Sequence, residues 1–324
     1  MKLDLKDRKI LYELDLNARQ TLTQIGKKVG LKKDVVSYRM KKLQEEGIIK
    51  NYYTVIDAYK LGYTLYRYYI NFQYISPDLR NEIIDYFVRY KNICTVGNVV
   101  GKYDLMLILW VKHVNEFYNF WKTALDNYGD HFENRIFSVY IHGVGFQKSF
   151  LLHERYRENE NVDHEYFGVG KQVDIDELDY HLLNELALNA RASLVELAKK
   201  FHTSSQTINY RINKLKESGI IQAFRVALDL SKLGFRHYKV DIYLKEYKQR
   251  DNIINYVKKS PFVLYISTST GLCDLEVELV VESTDKLVEI IEGINVQFPN
   301  AMKNYVFYGN IKIFKETFLP KIYD

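Results

Sequence analysis

The sequence predicts an α+β protein built from two copies of one unit, each a winged helix-turn-helix followed by a ferredoxin-like βαββαβ domain. Three observations support this prediction. The chain repeats itself at a shift of 172 residues, each copy opens with three short amphipathic segments, and each continues with alternating strand and helix patterns. The 324 residues, 47% of them hydrophobic, are enough to form several buried cores.

The repeat is clearest over the first 60 residues of each copy. Residues 3–62 align with residues 175–234 without a gap, and 24 of the 60 positions are identical. Further on, Gly101–Leu105 matches Gly271–Leu275 at a shift of 170 residues. A period this long indicates two complete units in tandem rather than a solenoid of short repeats.

The repeat and the patterns within it predict five segments. They are helix-turn-helix domains at 1–62 and 173–234, βαββαβ domains at 63–152 and 235–324, and a charged linker at 153–172.

The first domain of each copy contains three segments with helical spacing. The second segment begins at a capping box, Thr21-x-x-Gln24 or Ser193-x-x-Glu196, which satisfies free backbone groups at a helix start. The third segment, residues 33–46, carries apolar residues at positions 36, 40 and 43. The β-branched residues 48–55 that follow predict the strands of a wing.

The third helix of each copy has a polar face that suits the major groove of DNA. Lys and Arg neutralise phosphates, whereas Asn, Gln and Arg can read base edges. The candidate DNA-contacting residues of copy one are Lys32, Lys33, Ser37, Tyr38, Arg39, Lys41 and Lys42. Those of copy two are Ser204, Ser205, Gln206, Asn209, Tyr210, Arg211, Asn213 and Lys214.

Charge favours the first domain as a site for a polyanion. Residues 3–62 carry 13 Lys or Arg against 8 Asp or Glu, whereas residues 175–234 carry 8 against 7. Two other interpretations of the polar helix stay open. It can be the solvated side of an ordinary three-helix bundle, and Arg39 and Arg211 can pair with carboxylates inside their own domains.

Three motifs occur in both copies. They are Leu-Asn-Ala-Arg at 16–19 and 188–191, Tyr-Arg-x-x-x-Leu-x-x-x-Gly-Ile-Ile at 38–49 and 210–221, and Asp-x-x-x-Leu-Gly at 57–62 and 229–234. With these motifs the chain resembles the leucine-responsive regulator family of bacteria and archaea (Lrp/AsnC, or feast/famine). The resemblance implies a transcription regulator that binds double-stranded DNA and carries a RAM-type βαββαβ domain for effector sensing and oligomerisation.

The chain departs from this family in two respects. Typical members have one copy of the unit, whereas this chain has two. Copy one also places Lys32, Lys33 and Asp34 where small hydroxyl residues usually open the recognition helix. The resemblance therefore implies no base preference for copy one.

The second domain of each copy shows the order strand, helix, two strands, helix, strand. Residues 66–74 and 238–244 alternate as strands do, and the last strands are expected at about 135–142 and 305–313. This order is typical of a split βαβ sheet with helices on one face. The other face needs a partner, because Leu105–Val111 is apolar on both faces, whereas the equivalent strand has Glu276 and Glu278 on one.

In family members two chains pack these sheets together as a dimer. We therefore expect the two sheets of this one chain to pair with each other, which gives a single-chain pseudo-dimer. The unequal third helices then predict an asymmetric operator with two half-sites, because neither half has to match a copy of itself.

The resemblance also implies that amino-acid effectors bind near the Gly-x-x-Asp loops, between assembled dimers. The candidate effector-binding residues are Gly101, Asp104, Gly271 and Asp274. The alternative is that each Gly makes a tight turn that the Asp caps, without any ligand.

Several classes of protein do not fit the sequence. The longest apolar run has seven residues, the N-terminus lacks a signal core, and the two cysteines form no disulfide or zinc pattern, so we expect a cytoplasmic protein with no metal or other cofactor. We expect no enzyme, since no catalytic constellation or phosphate-binding loop is present. Two alternatives remain: a siroheme decarboxylase-like enzyme of the same architecture, for which Arg135, Tyr140 and His142 are the local candidates, and an architectural DNA-binding protein with little sequence choice.

Overall fold

Each copy begins with three helices and a strand. The computed structural model describes residues 3–152, 163–168, 170–317 and 319. In copy one these elements are α1 (Leu5–Leu16), α2 (Leu22–Val29), α3 (Lys33–Glu45) and β1 (Ile49–Ile56). In copy two they are α6 (Glu177–Leu188), α7 (Leu194–Lys200), α8 (Ser205–Glu217) and β7 (Ile221–Leu228). The three predicted helices are thus confirmed in both copies.

The helix starts follow the capping chemistry of the sequence. Both predicted capping boxes form, at Thr21 with Gln24 and at Ser193 with Glu196. The apolar residues of the third helix, Val36, Met40 and Leu43, are buried against the two helices before it. Their burial leaves the opposite face of α3 exposed to solvent.

The strand after each third helix differs from a wing hairpin. Residues 49–56 form one strand, β1, which pairs antiparallel with β7 of the other copy. No turn interrupts this stretch, and the chain leaves it at Asp57, which accepts a hydrogen bond from the amide of Tyr59. The two helix-turn-helix domains therefore share a two-stranded sheet.

The repeated Leu-Asn-Ala-Arg motif joins the same two domains. The Arg19 guanidinium donates to the carbonyls of Ala190 (2.6 Å) and Ala192 (3.0 Å). Arg191 donates in return to the carbonyls of Ala18 and Gln20. Each arginine thus reaches across to the other copy's motif, so the motif is an inter-copy contact.

Each copy continues as a four-stranded βαββαβ domain. Copy one contributes β2 (Thr64–Phe72), α4 (Pro77–Arg89), β3 (Ile93–Val100), β4 (Leu105–Val111), α5 (Val114–Tyr128) and β5 (Phe132–Phe146). After β6 (Asp163–Phe167), copy two contributes β8 (Arg236–Leu244), α9 (Arg250–Val257), β9 (Val263–Thr270), β10 (Leu275–Val281), α10 (Thr284–Gln297) and β11 (Met302–Glu316).

The two sheets join edge to edge into one hydrogen-bonded ring of eight strands. The order is β2-β4-β3-β11-β8-β10-β9-β5, and β5 pairs again with β2 to close the ring. The last strand of each copy is longer than predicted because it continues into the other copy's sheet. β5 pairs with β2 up to Val139 and with β9 from Val139 onward, and β11 passes from β8 to β3 at Gly309.

The predicted linker contains regular structure. β6 lies within it and pairs antiparallel with the end of β5, so part of this segment extends the sheet. Residues 153–162 of the predicted linker lie outside the described residues. In the described part of the chain, no helix has the length and apolar character needed to cross a bilayer.

Candidate nucleic-acid interface

The exposed faces of α3 and α8 carry most of the candidate DNA-contacting residues. Tyr38 and Tyr210 occupy equivalent positions and are 68% and 67% exposed. The other exposed candidates are Lys32, Lys33, Ser37, Lys41, Lys42, Ser204, Gln206, Asn209, Asn213 and Lys214. Ser205, unlike these, is half-buried, and its hydroxyl lies 3.4 Å from the carbonyl of Leu194.

Arg39 and Arg211 are engaged inside their own domains. Arg39 donates to Asp4 (2.8 Å) and Asp7 (2.7 Å) at the start of α1. Arg211 makes the same contacts with Asp176 and Asp179 at the start of α6. The paired carboxylates raise the pKa of both guanidinium groups. Each arginine therefore links the third helix of its domain to the first helix. This agrees with the interpretation that Arg39 and Arg211 pair with carboxylates inside their own domains.

The two helix starts differ in chemistry. Ser204 caps α8, since its hydroxyl accepts a hydrogen bond from the amide of Thr207 at 3.0 Å. Lys32 occupies the equivalent position of α3 and makes no side-chain capping bond. α3 thus presents cations at its start, whereas α8 presents hydroxyl and amide groups.

The Gly-x-x-Asp loops have a structural role that fits the turn interpretation. Gly101 has φ +122°, and a Cβ there would lie 3.1 Å from the carbonyl oxygen of Phe307 in β11. Gly271 has φ +100° and lies equally close to the carbonyl oxygen of Phe137 in β5. Each glycine therefore permits close approach to the last strand of the other copy.

Each aspartate of these loops accepts a hydrogen bond from its own copy. Asp104 accepts from the amide of Phe72 (3.0 Å), and Asp274 accepts from that of Leu244 (2.7 Å). A cavity of about 190 Å³ lies beside Asp104. It is lined by Phe72, Gln73, Tyr74, Ile75, Arg80 and Asp104. Arg80 Nε is buried there without a hydrogen-bond partner among the described residues.

The ring of eight strands encloses a charged cluster. Its members, called the interior cluster below, are Arg67, Tyr69, Tyr140, Lys239, Asp241, Glu276, Glu278 and Tyr308. Glu276 is 1% exposed and lies 3.1 Å from Arg67, 2.5 Å from Lys239 and 2.6 Å from the hydroxyl of Tyr140. One carboxylate from copy two therefore meets cations from both copies.

Asp241 is the least satisfied member of the interior cluster. Its Oδ1 accepts from Tyr308 at 3.2 Å, while its Oδ2 is buried without a partner among the described residues. Burial and the neighbouring Glu276 raise the pKa of Asp241 to about 7. With Asp241 protonated, the two cations of the cluster balance the two glutamates.

Asp241, Cys273 and Glu276 form the group of possible metal ligands within the described residues. Their ligand atoms lie within 4.8 Å of one another. A metal ion would have to compete with Arg67 and Lys239 for Glu276, because both cations already contact its Oε2. The arrangement is therefore that of a buried ion-pair network.

The three candidates for a tetrapyrrole site do not lie together. Tyr140 points into the ring and donates to Glu276. Arg135 is exposed, and its charge interacts with Tyr68. The ring of Tyr68 stacks at 4.0 Å on Trp121 of α5, so this candidate lies at the helix-covered face of the sheet. His142 is exposed and hydrogen bonds to Thr268.

Comparison with known proteins identifies the family. A family model described as winged helix-turn-helix DNA-binding matches residues 3–50 and 175–222. An uncharacterized HTH-type transcriptional regulator of Pyrococcus abyssi is 32% identical over 130 residues, which are 86% of that protein and 40% of this chain. LrpB of Bacillus subtilis is 28% identical over 95% of its length and 45% of this chain. This chain belongs to the Lrp/AsnC family of transcriptional regulators.

Each of these relatives covers less than half of this Lrp/AsnC-type chain, as expected for a tandem duplication. A crystal structure of the siroheme decarboxylase NirDL aligns with 98% of the chain and 94% of its own, with a TM-score of 0.64 and 13% identity. At that identity the likeness shows a shared fold alone.

Sequence reasoning missed the contacts that join the two copies of this regulator. Asp15 and Arg225 are fully buried and form a bidentate pair at 3.0 and 2.8 Å, and Asp15 also contacts Lys148. The equivalent positions of the other copies hold Ala187 and Tyr53. The sequence does carry a signal for this pair. Each of its two charged residues has an uncharged residue at the equivalent position of the other copy.

The raised pKa of Asp241 predicts a specific pH dependence of stability. The folded protein keeps this carboxyl protonated up to about pH 7, whereas the unfolded chain ionises it near the ordinary value of about 3.8. Unfolding therefore releases a proton in this window, and the free energy of unfolding falls by about 1.4 kcal/mol per pH unit until it levels off above pH 7.

Asp241→Asn removes this proton release. Relative to the unmodified protein, the variant should gain stability from about pH 5 to 7 and then keep a constant difference, as measured by urea unfolding across pH. Asp85→Asn, at an exposed carboxylate, is the control. A difference independent of pH would contradict the assignment.

Proposed function

We propose that this regulator is a sequence-specific DNA-binding protein that acts as a single-chain pseudo-dimer on an asymmetric operator, in the cytoplasm. The observation that carries the proposal is the shared β1–β7 sheet, which fixes two exposed third helices on one frame. The Arg19 and Arg191 contacts tie the same domains together. Two helices held in this way can enter successive major grooves on one side of a duplex.

The chemistry of the two helices supports unequal half-sites. α3 offers Lys32, Lys33, Lys41 and Lys42, which suit phosphates but carry little base information. α8 offers Gln206, Asn209 and Asn213, whose amide groups can pair bidentately with adenine. We infer that copy two reads sequence and copy one mainly supplies affinity.

The experiment that tests this function is selection of binding sites from random duplex DNA by the full chain. We expect one enriched, non-palindromic sequence with a conserved half and a degenerate half. Enrichment of no sequence would support the architectural alternative instead. A tetrapyrrole absorption band in the purified protein together with no duplex binding would support the siroheme decarboxylase-like alternative.

Lys33→Ala and Lys41→Ala should each weaken binding to all sequences. Because each variant loses about one phosphate contact, the slope of log affinity against log salt should become shallower by about 1. Fluorescence anisotropy at several salt concentrations measures this slope. Lys122→Ala, on the distant α5, should leave it unchanged, and an affinity independent of salt would exclude the phosphate contacts.

Asn209→Ala should relax base choice at one position of the operator. The loss should be about 1–3 kcal/mol for the preferred base and little for the other three. Competition with single-base operator variants measures this effect. Ser37→Ala, at the equivalent position of α3, is the matched comparison and should change the base preference less.

We also propose that an amino acid binds in the cavity beside Asp104, and that the effector role implied for Gly101, Asp104, Gly271 and Asp274 centres there. The Asp104 carboxylate and the Arg80 Nε, which has no hydrogen-bond partner in the described part of the chain, suit the ammonium and carboxylate groups of an amino acid. In copy two, Arg250 instead donates to the carbonyl of Asp274 at 2.8 Å, so the copies are unequal here as well.

A thermal-shift screen of the twenty amino acids tests this site. At least one should raise the melting temperature of the full chain, and Arg80→Gln should abolish that rise. Arg89→Gln, on the same helix but outside the cavity, should preserve it. If no amino acid shifts the melting temperature, or if Arg80→Gln keeps the shift, the effector proposal fails.

A further inference from the structure

The interior cluster divides its charges unequally between the two copies. The strands β2 and β8 are equivalent, as are β4 and β10, so each interior position of copy one has a counterpart in copy two. The equivalent pairs are Arg67 and Lys239, Tyr69 and Asp241, Met106 and Glu276, and Ile108 and Glu278. At these positions copy one supplies one cation and no acid, whereas copy two supplies one cation and three acids.

Two ion pairs of the interior cluster, those of Arg67, cross from one copy to the other, whereas Lys239 pairs with Glu276 inside copy two. Arg67 of copy one lies 3.1 Å from Glu276 and 3.6 Å from Glu278 of copy two, and its side chain is 6% exposed. Tyr69, two residues further along β2 and on the same face as Arg67, accepts a hydrogen bond from Lys239 of copy two at 3.2 Å. Copy one has no acid at the equivalent positions that could take the place of either glutamate.

A second crossed pair lies between the helix-turn-helix domains. Asp15 of copy one and Arg225 of copy two are both 0% exposed, and each has an uncharged counterpart, Ala187 or Tyr53. Arg225 stands directly opposite Tyr53 in the β1–β7 sheet. Both interfaces between the copies therefore contain a buried ion pair with one partner from each copy.

We infer that these crossed ion pairs make the two halves of the chain selective for each other, so that each half rejects a second copy of itself. Two copies of the first half would bury two Arg67 side chains without a carboxylate. Two copies of the second half would bring together six acids with two lysines and the two His237 rings that contact Glu278, and would leave Arg225 facing Ala187. Because an unpaired buried charge is strongly unfavourable, both like pairings are disfavoured, whereas the unlike pairing is neutralised.

This inference rests on the intrachain pairing in the proposed function and is independent of DNA binding. It also defines the partner that each interface accepts. A half of this chain can pair with the complementary half of its own or another identical chain, but not with its equal. The first half would also reject any partner that has apolar residues at the positions of Glu276 and Glu278, because Arg67 would then be buried without a carboxylate.

The test uses the full chain, with a protease site placed in residues 153–162 and cut after purification. The nicked protein is unfolded in urea and refolded, and native mass spectrometry counts the three kinds of pair. Random association gives like and unlike pairs in equal total amounts. We expect unlike pairs to exceed like pairs by about 100-fold or more.

A variant with a neutral interior should lose this selectivity. It combines Arg67→Met, Lys239→Met, Glu276→Met and Glu278→Ile, and should shift the distribution toward random. The matched control replaces two exposed ion pairs with Met, at Lys122 and Asp126 and at Lys286 and Glu289, and should keep the selectivity. Random pairing of the unmodified halves would overturn the inference.

A measurement on the intact chain decides the matter if the nicked halves do not refold. Arg67→Glu places an acid against Glu276 and Glu278 and should lower the urea midpoint markedly. Adding Glu278→Arg should recover at least half of that loss, and no recovery would overturn the inference. DNA binding of the intact chain is scored separately, so a failure of the operator proposal leaves these outcomes unaffected.

Discussion

Hydrogen bonding between strand edges of the two copies is the interaction on which the rest of this structure depends. A four-stranded βαββαβ sheet ends in two edges whose backbone groups need partners. Here β3 pairs with β11 and β9 with β5, so that both edges of each sheet are used inside one chain. The closed ring then excludes water from its interior, and charged groups there must be neutralised by other groups in the ring.

The same constraint positions the helix-turn-helix domains. Each third helix is fastened to its first helix by Arg39 or Arg211, and the first helices are joined through the shared sheet and the Arg19 and Arg191 contacts. The exposed faces of α3 and α8 are therefore set by backbone pairing rather than by a flexible connection. The proposed function depends on this arrangement, because two unlike helices on one frame could address one duplex in a fixed register.

The elements could be predicted from the sequence because local patterns determine them. The capping boxes, the apolar spacing of α3 and the order of strands and helices all depend on near neighbours. The pairing partners of the edge strands could not be predicted in this way. No local pattern indicates that β1 pairs with β7, or that β5 and β11 extend into the sheet of the other copy. Glu276 and Glu278 were visible as polar residues in an apolar strand, but their partner Arg67 lies 209 residues from Glu276 in sequence.

The unequal third helices and the unequal interior raise the same physical problem. In a symmetric dimer every substitution appears twice, so a helix cannot be specialised for phosphates on one side and for bases on the other. Duplication within one chain removes that limit only if unlike halves meet, and covalent linkage alone does not prevent like halves of two chains from pairing. Buried charges that balance only across unlike halves supply the missing discrimination, which is why divergence of α3 from α8 and the crossed ion pairs of the interior are expected to occur together.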